Sequence, residues 1–219
     1  KMFHKNVTCT NCHNAHSMKL KFEGNALCLQ CHTPNYNSKA HHFHEENKAG
    51  ANCVDCHMTG KYYMGNDFRH DHSFRIPRPD QSVKYGTPNA CNGCHDDKKA
   101  EWAATTVQKW YGKNRKTHFS DLLLQGWVDG KAERLVSLAN DTAMPVISRG
   151  TAIFYISQLD VNAIIVNIKR WTADPEILIR KAAQQAIRDF PAEQRMVYAA
   201  PALNDKSRSV RLEAVTNLL

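Results

Sequence analysis

Eight cysteines occur in the chain, all of them in four copies of one pattern: Cys9/Cys12/His13, Cys28/Cys31/His32, Cys53/Cys56/His57 and Cys91/Cys94/His95. Two thiols two residues apart, followed directly by an imidazole, can grip one porphyrin edge through two thioethers while the histidine reaches the iron. Cys-x-x-Cys pairs also build four-cysteine zinc sites and thioredoxin-like dithiols, but neither requires a histidine after every second cysteine. The fourfold repetition of that histidine predicts four covalently bound haem c groups, and it leaves no cysteine for a disulfide.

Of the twelve histidines, those four are the proximal iron ligands. His4, His16, His41, His42, His44, His70, His72 and His118 remain as candidates for the four distal positions, enough to make every iron six-coordinate. A haem closed by two imidazoles has no vacancy for a substrate, and its chemistry is outer-sphere electron transfer. Met18, Met58 and Met64 offer thioether ligation, although methionine more commonly fills gaps in a core.

The elements that must position these residues fall into two halves. Residues 1–99 hold the four motifs within 87 positions, about one haem per 22 residues, and show little sustained periodicity. A segment this thin cannot build an ordinary side-chain core, so the porphyrins must be the core. Short helices at or after each motif are expected, with Phe22, Tyr36, Phe43, Tyr62, Tyr63, Phe68 and Phe74 packing on porphyrin faces or edges.

From Glu101 onward the chain is cysteine-free and helix-compatible. Helices are expected at 101–111 and 119–127, within a connector over 100–130. Beyond it, a period of 31 relates Arg149, Arg180 and Arg211, then Ala152, Ala183 and Ala214, then Ile156, Ile187 and Leu218. Asp174 and Asp205 precede equivalent helices, where an aspartate can cap the N-terminus. First helices of each pair are expected at 132–139, 162–171 and 193–203. The fold class expected is mainly α: a loop-rich, haem-packed domain over 1–99, the connector, and a repeat stack of three units over 131–219. The sequence ends without a polar capping repeat, so further repeats or a partner are expected to cover that end.

The formal charge is +8. Each haem c brings about one negative charge when oxidised and two when reduced, so four haems lower the total to about +4 or about zero. The basic excess therefore reads as compensation for propionates, with Arg69, Arg75 and Arg78 as local partners, and not as a nucleic-acid footprint. No run of 18 apolar residues indicates a membrane span. Covalent haem attachment implies an exported bacterial protein, periplasmic or extracellular, and the opening without Met implies that an N-terminal part is removed or lies outside the given chain.

The segments GANCVDCHM, HSFRIP and NACNGCH resemble the last two haem motifs of cytochrome c nitrite reductases and their multihaem relatives. The stretch from KMFHKNVTC to the WYG at 110–112 is similar to periplasmic multihaem c-type cytochromes that carry HEAT- or TPR-like helical repeats after the haem domain. The resemblance implies that His72 of HSFRIP reaches back to the haem at Cys9/Cys12. It implies that AHHFH serves the fourth haem, through His42 first and His44 second, and that His16 serves the haem at Cys28/Cys31. The third haem has no obvious local partner. His118 is the expected ligand there, with His4 as alternative, and His41 and His70 are left as propionate or backbone partners. The nitrite reductases place a lysine after the second cysteine of their catalytic haem, and no such motif exists here. Electron transfer between redox protein partners is therefore the expected role. A reductase of nitrite, hydroxylamine or a sulfur oxyanion with one open haem, and a subunit of a polymeric cytochrome assembly, are the alternatives. The repeats are expected to serve as a scaffold or as a docking platform for a partner or another copy.

Overall fold

The computed structural model describes Met2 and residues 5–219 and divides the chain into two compact units, Lys1–Asn114 and Arg115–Leu219. The fold is mainly α, and among the described residues no helix is long and apolar enough to cross a membrane.

The first unit strings short elements along the motifs: α1 (Cys9–Cys12), α2 (Ala26–Leu29), a 3-10 turn (Pro34–Tyr36), α3 (Lys39–His42), α4 (Cys53–His57), β1 (Gly60–Tyr63), β2 (Asp67–His70), α5 (Pro79–Tyr85), a second 3-10 turn (Cys91–Gly93) and α6 (Ala100–Tyr111). The strands form an antiparallel hairpin with Tyr62 opposite Phe68. Its tip passes through Met64 and Gly65, both at positive φ (51° and 81°), the region that glycine enters without steric cost. Helix α6 packs on α5 and on the second 3-10 turn. The connector expected over 100–130 is thus divided, with α6 in the first unit and α7 in the second.

The second unit contains α7 (Phe119–Trp127), α8 (Ala132–Asn140), α9 (Val146–Leu159), α10 (Val161–Thr172), α11 (Ile177–Ala186), α12 (Ala192–Ala202) and α13 (Arg208–Leu218). Helices α9, α11 and α13 follow one another in a row, α11 touching both others. Helices α8, α10 and α12 pack on them as a second layer. The 31-residue columns form the interior: Ala152, Ala183, Ala214, Ile156 and Ile187 are all buried. Small alanines let the row approach closely, and Leu135, Ile153, Ile164, Ile168 and Trp171 fill the space between layers. Trp171 satisfies its buried indole by donating to Asn140 Oδ1 at 2.9 Å.

The arginine column ties adjacent units together. Arg149 donates to Asp174 (2.6 Å) and Arg180 to Asp205 (2.6 Å), each across 25 residues. Asp174 and Asp205 are therefore not the helix N-caps expected of them, since Glu176 and Ser207 occupy those positions. Each aspartate accepts from the backbone N–H two residues on, at 2.9 and 2.7 Å, and turns its other oxygen or both to the arginine of the preceding unit.

Candidate haem sites

Each motif folds as about one helical turn. Residues at i, i+3 and i+4 share a helix face, so the turn carries both thiols and the imidazole to one side. The backbone N–H of His13 donates to the Cys9 carbonyl (2.8 Å), that of His32 to Cys28 (3.1 Å) and that of His95 to Cys91 (2.9 Å), while His57 ends α4 itself. The first turn is opened by Thr8, whose N–H donates to Asn11 Oδ1 at 2.8 Å.

The motifs adjoin one another. The thiols of Cys28, Cys53 and Cys12, from the second, third and first motifs, lie close enough to act on one another electrostatically. Burial, then repulsion and hydrogen bonding from these neighbours, push Cys28 up to about 11. Burial and the charges of Cys91, Asp55, Cys94 and Cys53 push Cys56 up to about 11 as well, and burial raises Cys91. The neutral thiol is thus favoured at Cys28, Cys56 and Cys91.

Cys31 departs from that pattern. It is exposed, as are Cys9 and Cys94 of the first and fourth motifs. The reason is its place in the turn. Cys28 lies within α2 and is covered by the neighbouring motifs, whereas Cys31 lies just past the Gln30 cap of the helix, its N–H donating to the Cys28 carbonyl at 3.2 Å. Cys9, Cys31 and Cys94 are exposed in the chain itself.

Three motif histidines face a second imidazole. The ring centroids of His13 and His72 are 6.4 Å apart with planes at 30°, those of His57 and His41 are 6.2 Å apart at 12°, and those of His95 and His44 are 6.3 Å apart at 36°. Two imidazoles sharing one metal, each bound at about 2 Å through a ring nitrogen, hold their centroids roughly 6.3 Å apart. In direct ring packing, by contrast, the flat stack of Phe43 on Trp110 brings centroids to 4.4 Å.

Ring nitrogens are sorted accordingly. Nδ1 of His13 bonds the Met18 carbonyl (2.9 Å), Nδ1 of His57 the Arg75 carbonyl (2.7 Å), Nδ1 of His72 the His70 carbonyl (2.9 Å) and Nδ1 of His44 the His42 carbonyl (2.5 Å). An Nδ1–H fixed on a carbonyl leaves Nε2 as the lone-pair nitrogen, the arrangement that metal-binding histidines adopt. Burial, with His57 and His42 nearby, lowers His41 and favours its neutral form.

The distal candidates are placed as follows. His72 faces the first motif. Across from His95 stands His44 rather than His42, whose Nδ1 instead accepts the backbone N–H of His44 at 3.2 Å. Across from His57 stands His41, a residue assigned no iron in the sequence reading. His118, expected there, lies in the second unit, where it caps α7 by accepting from the Ser120 N–H at 3.3 Å and bonds the Ser120 hydroxyl at 2.8 Å. His16 sits on an exposed turn, its backbone N–H donating to Asn14 Oδ1 at 3.0 Å. Among the described residues no imidazole faces His32; the Tyr36 ring meets it edge-on at 5.9 Å. His4 lies outside the described residues. His70 bonds the Met58 carbonyl at 2.6 Å, in keeping with a backbone partner. Arg69, Arg75 and Arg78 pair with Asp67 (2.5 Å), Asp71 (2.5 Å) and Asp80 (2.7 Å).

These residues fit haem c. Two thiols and an imidazole per turn, opposed imidazoles at metal-bridging distance, and carbonyl-fixed Nδ1 atoms are the donor set it needs. The first unit also lacks a side-chain core: of its described aliphatic and aromatic residues, Ala51, Ala103 and Val107 are buried, whereas Met18, Leu20, Phe22 and Tyr62 are exposed. Among the described residues no three or more His, Cys, Asp or Glu groups converge as a cation site.

Residues 3–37 match the family model described as doubled CXXCH motif. No curated protein and no solved structure matches the chain. The doubled motif is that of multihaem c-type cytochromes, which serve in electron transfer, and the Cys-x-x-Cys-His turns mark covalently bound haem c.

Proposed function

We propose that the chain is an electron-transfer protein with four haem c groups, one on each motif, held from one side by His13, His32, His57 and His95. The thioethers form at Cys9 and Cys12, Cys28 and Cys31, Cys53 and Cys56, and Cys91 and Cys94. His72 would hold the first haem from the other side, His41 the third and His44 the fourth. For the second, His16 and His4 are the candidates. The observation that carries this reading is the set of three imidazole pairs at 6.2–6.4 Å, each with a motif histidine as one member. Haem supplies one-electron iron chemistry. His72, His41 and His44 would close the first, third and fourth irons to substrate, and the adjoining attachment turns would shorten each electron step.

The test is low-temperature EPR of the oxidised protein, integrated against haem counted by mass and pyridine haemochrome. Four haems per chain, all low-spin and unaltered by cyanide or nitrite, are expected. One haem in four that is high-spin and binds the added anion would overturn the carrier reading in favour of a reductase.

The second unit reads as three HEAT-like repeats. Support comes from the 31-residue columns and from the arginine–aspartate pairs joining successive units. Solenoid surfaces bind proteins, and this stack serves as the docking platform for a redox protein partner or another copy. Because bacterial haem c attachment takes place outside the cytoplasmic membrane, the site of action is periplasmic or extracellular.

A further inference from the structure

Helix α6 carries no motif and no histidine, yet its aromatic residues lie against the ligand segment of two motifs. The Trp110 ring lies flat on Phe43, with centroids 4.4 Å apart and planes at 4°, and edge-on to His44 at 6.3 Å. Tyr111 meets Phe43 edge-on at 5.9 Å and His41 at 6.2 Å, and its hydroxyl donates to the His41 backbone carbonyl. Phe43 itself caps α3 in the left-handed region, at φ 58°, a backbone state that bulky L residues rarely enter. That corner is what divides the segment: His41, before it, faces His57, and His44, after it, faces His95. Gly50 closes the other side, because a Cβ there would stand 2.5 Å from the His44 ring.

We infer that Trp110 and Tyr111 are positioning residues that clamp the His41–Phe43–His44 corner and so orient the second axial ligand of two haems at once. This rests on the proposed ligation of the third and fourth haems by His41 and His44. The stack of Trp110 on Phe43 holds the left-handed corner, and the Tyr111 hydroxyl anchors the carbonyl from which His41 projects. The relative orientation of two axial imidazoles governs the electronic anisotropy of low-spin iron, which makes the clamp visible by spectroscopy.

The experiment uses the haem-loaded full chain and low-temperature EPR, with Trp110→Ala, Trp110→Phe, Tyr111→Phe and, as controls, His41→Ala and His44→Ala. Each control should open one haem to cyanide. Trp110→Ala should shift the g-values of two of the four haems and leave the His13/His72 signal in place, and Trp110→Phe should restore both. Tyr111→Phe, which removes only the hydroxyl, should shift one. Unchanged spectra in Trp110→Ala, or four signals altered alike, would overturn the clamp. If Trp110→Ala yields no loaded protein, Tyr111→Phe decides alone, and an unshifted spectrum overturns it. Should the histidine controls open no haem, the ligation reading itself fails. If they open one each while the α6 variants stay silent, only the clamp fails.

Discussion

A histidine with its Nδ1–H on a carbonyl and a buried arginine with its fork on a carboxylate solve the same problem, since each fixes a polar group whose orientation matters elsewhere. The Arg149–Asp174 pair is almost fully buried, with side chains 3% and 6% exposed. Removing one partner strands the other, so Asp174→Ala should cost about 3–5 kcal/mol, read as a lowered melting point of the second unit by far-UV circular dichroism. The Arg180 hydrogen bond, assisted by the Ser207 N–H, holds Asp205 below the usual carboxylate range against the opposing effect of burial. A carboxylate depressed in the folded state stabilises above its unfolded pKa of about 3.9, and that stability is lost as pH falls through the lower folded value. Asp205→Asn should therefore cost about 1–3 kcal/mol near neutral pH and flatten the fall in melting point below about pH 4; an equally steep fall in the variant would refute this. At this scale the sequence was partly legible. His72 stands opposite His13, the neighbour implied by the HSFRIP resemblance. That His41 faces His57 and His44 faces His95 was not legible, because it turns on the left-handed φ of Phe43, which no spacing displays. Nor does spacing separate Cys28 from Cys31, since what covers the first and leaves the second exposed is the packing of other motifs. Asp174 looked like a cap because its arginine lies 25 residues upstream, beyond the reach of a local rule.

Helices follow local pattern more closely than contacts do. The expected first helices at 132–139, 162–171 and 193–203 are found at Ala132–Asn140, Val161–Thr172 and Ala192–Ala202, because amphipathic periodicity and turn residues fix them before any neighbour is known. Pattern alone makes α6 a connector, since its packing on α5 and on Phe43 depends on partners distant in sequence. Helix α7 approaches α8 through Gly126, where an added Cβ would overlap the side chain of Leu135, which is fully buried. Overpacking of this kind costs about 1–3 kcal/mol. Gly126→Ala should lower the melting point of the second unit by about 4–8 °C per kcal/mol for a domain of about 100 residues. A melting point within a degree of the parent chain, measured calorimetrically, would show that Leu135 moves aside freely.

The two units differ in what holds them together. The second has a continuous apolar interior of its own; the first relies on its motifs. A haem-free chain, made with all eight cysteines replaced by serine, should lose the first unit and keep the second. Limited proteolysis should then yield a resistant fragment beginning near Arg115, and circular dichroism should retain a cooperative helical transition. Survival of both units would mean that the porphyrins are not the core. The axial crossings have a further consequence in time. On the proposed pairing, the first haem takes its second histidine from 59 residues downstream, whereas the fourth finds His44 already made 51 residues earlier. Closure of the first haem therefore waits on the folding of the third motif and its hairpin, which lie between it and His72, whereas the fourth closes on a segment that precedes its own motif.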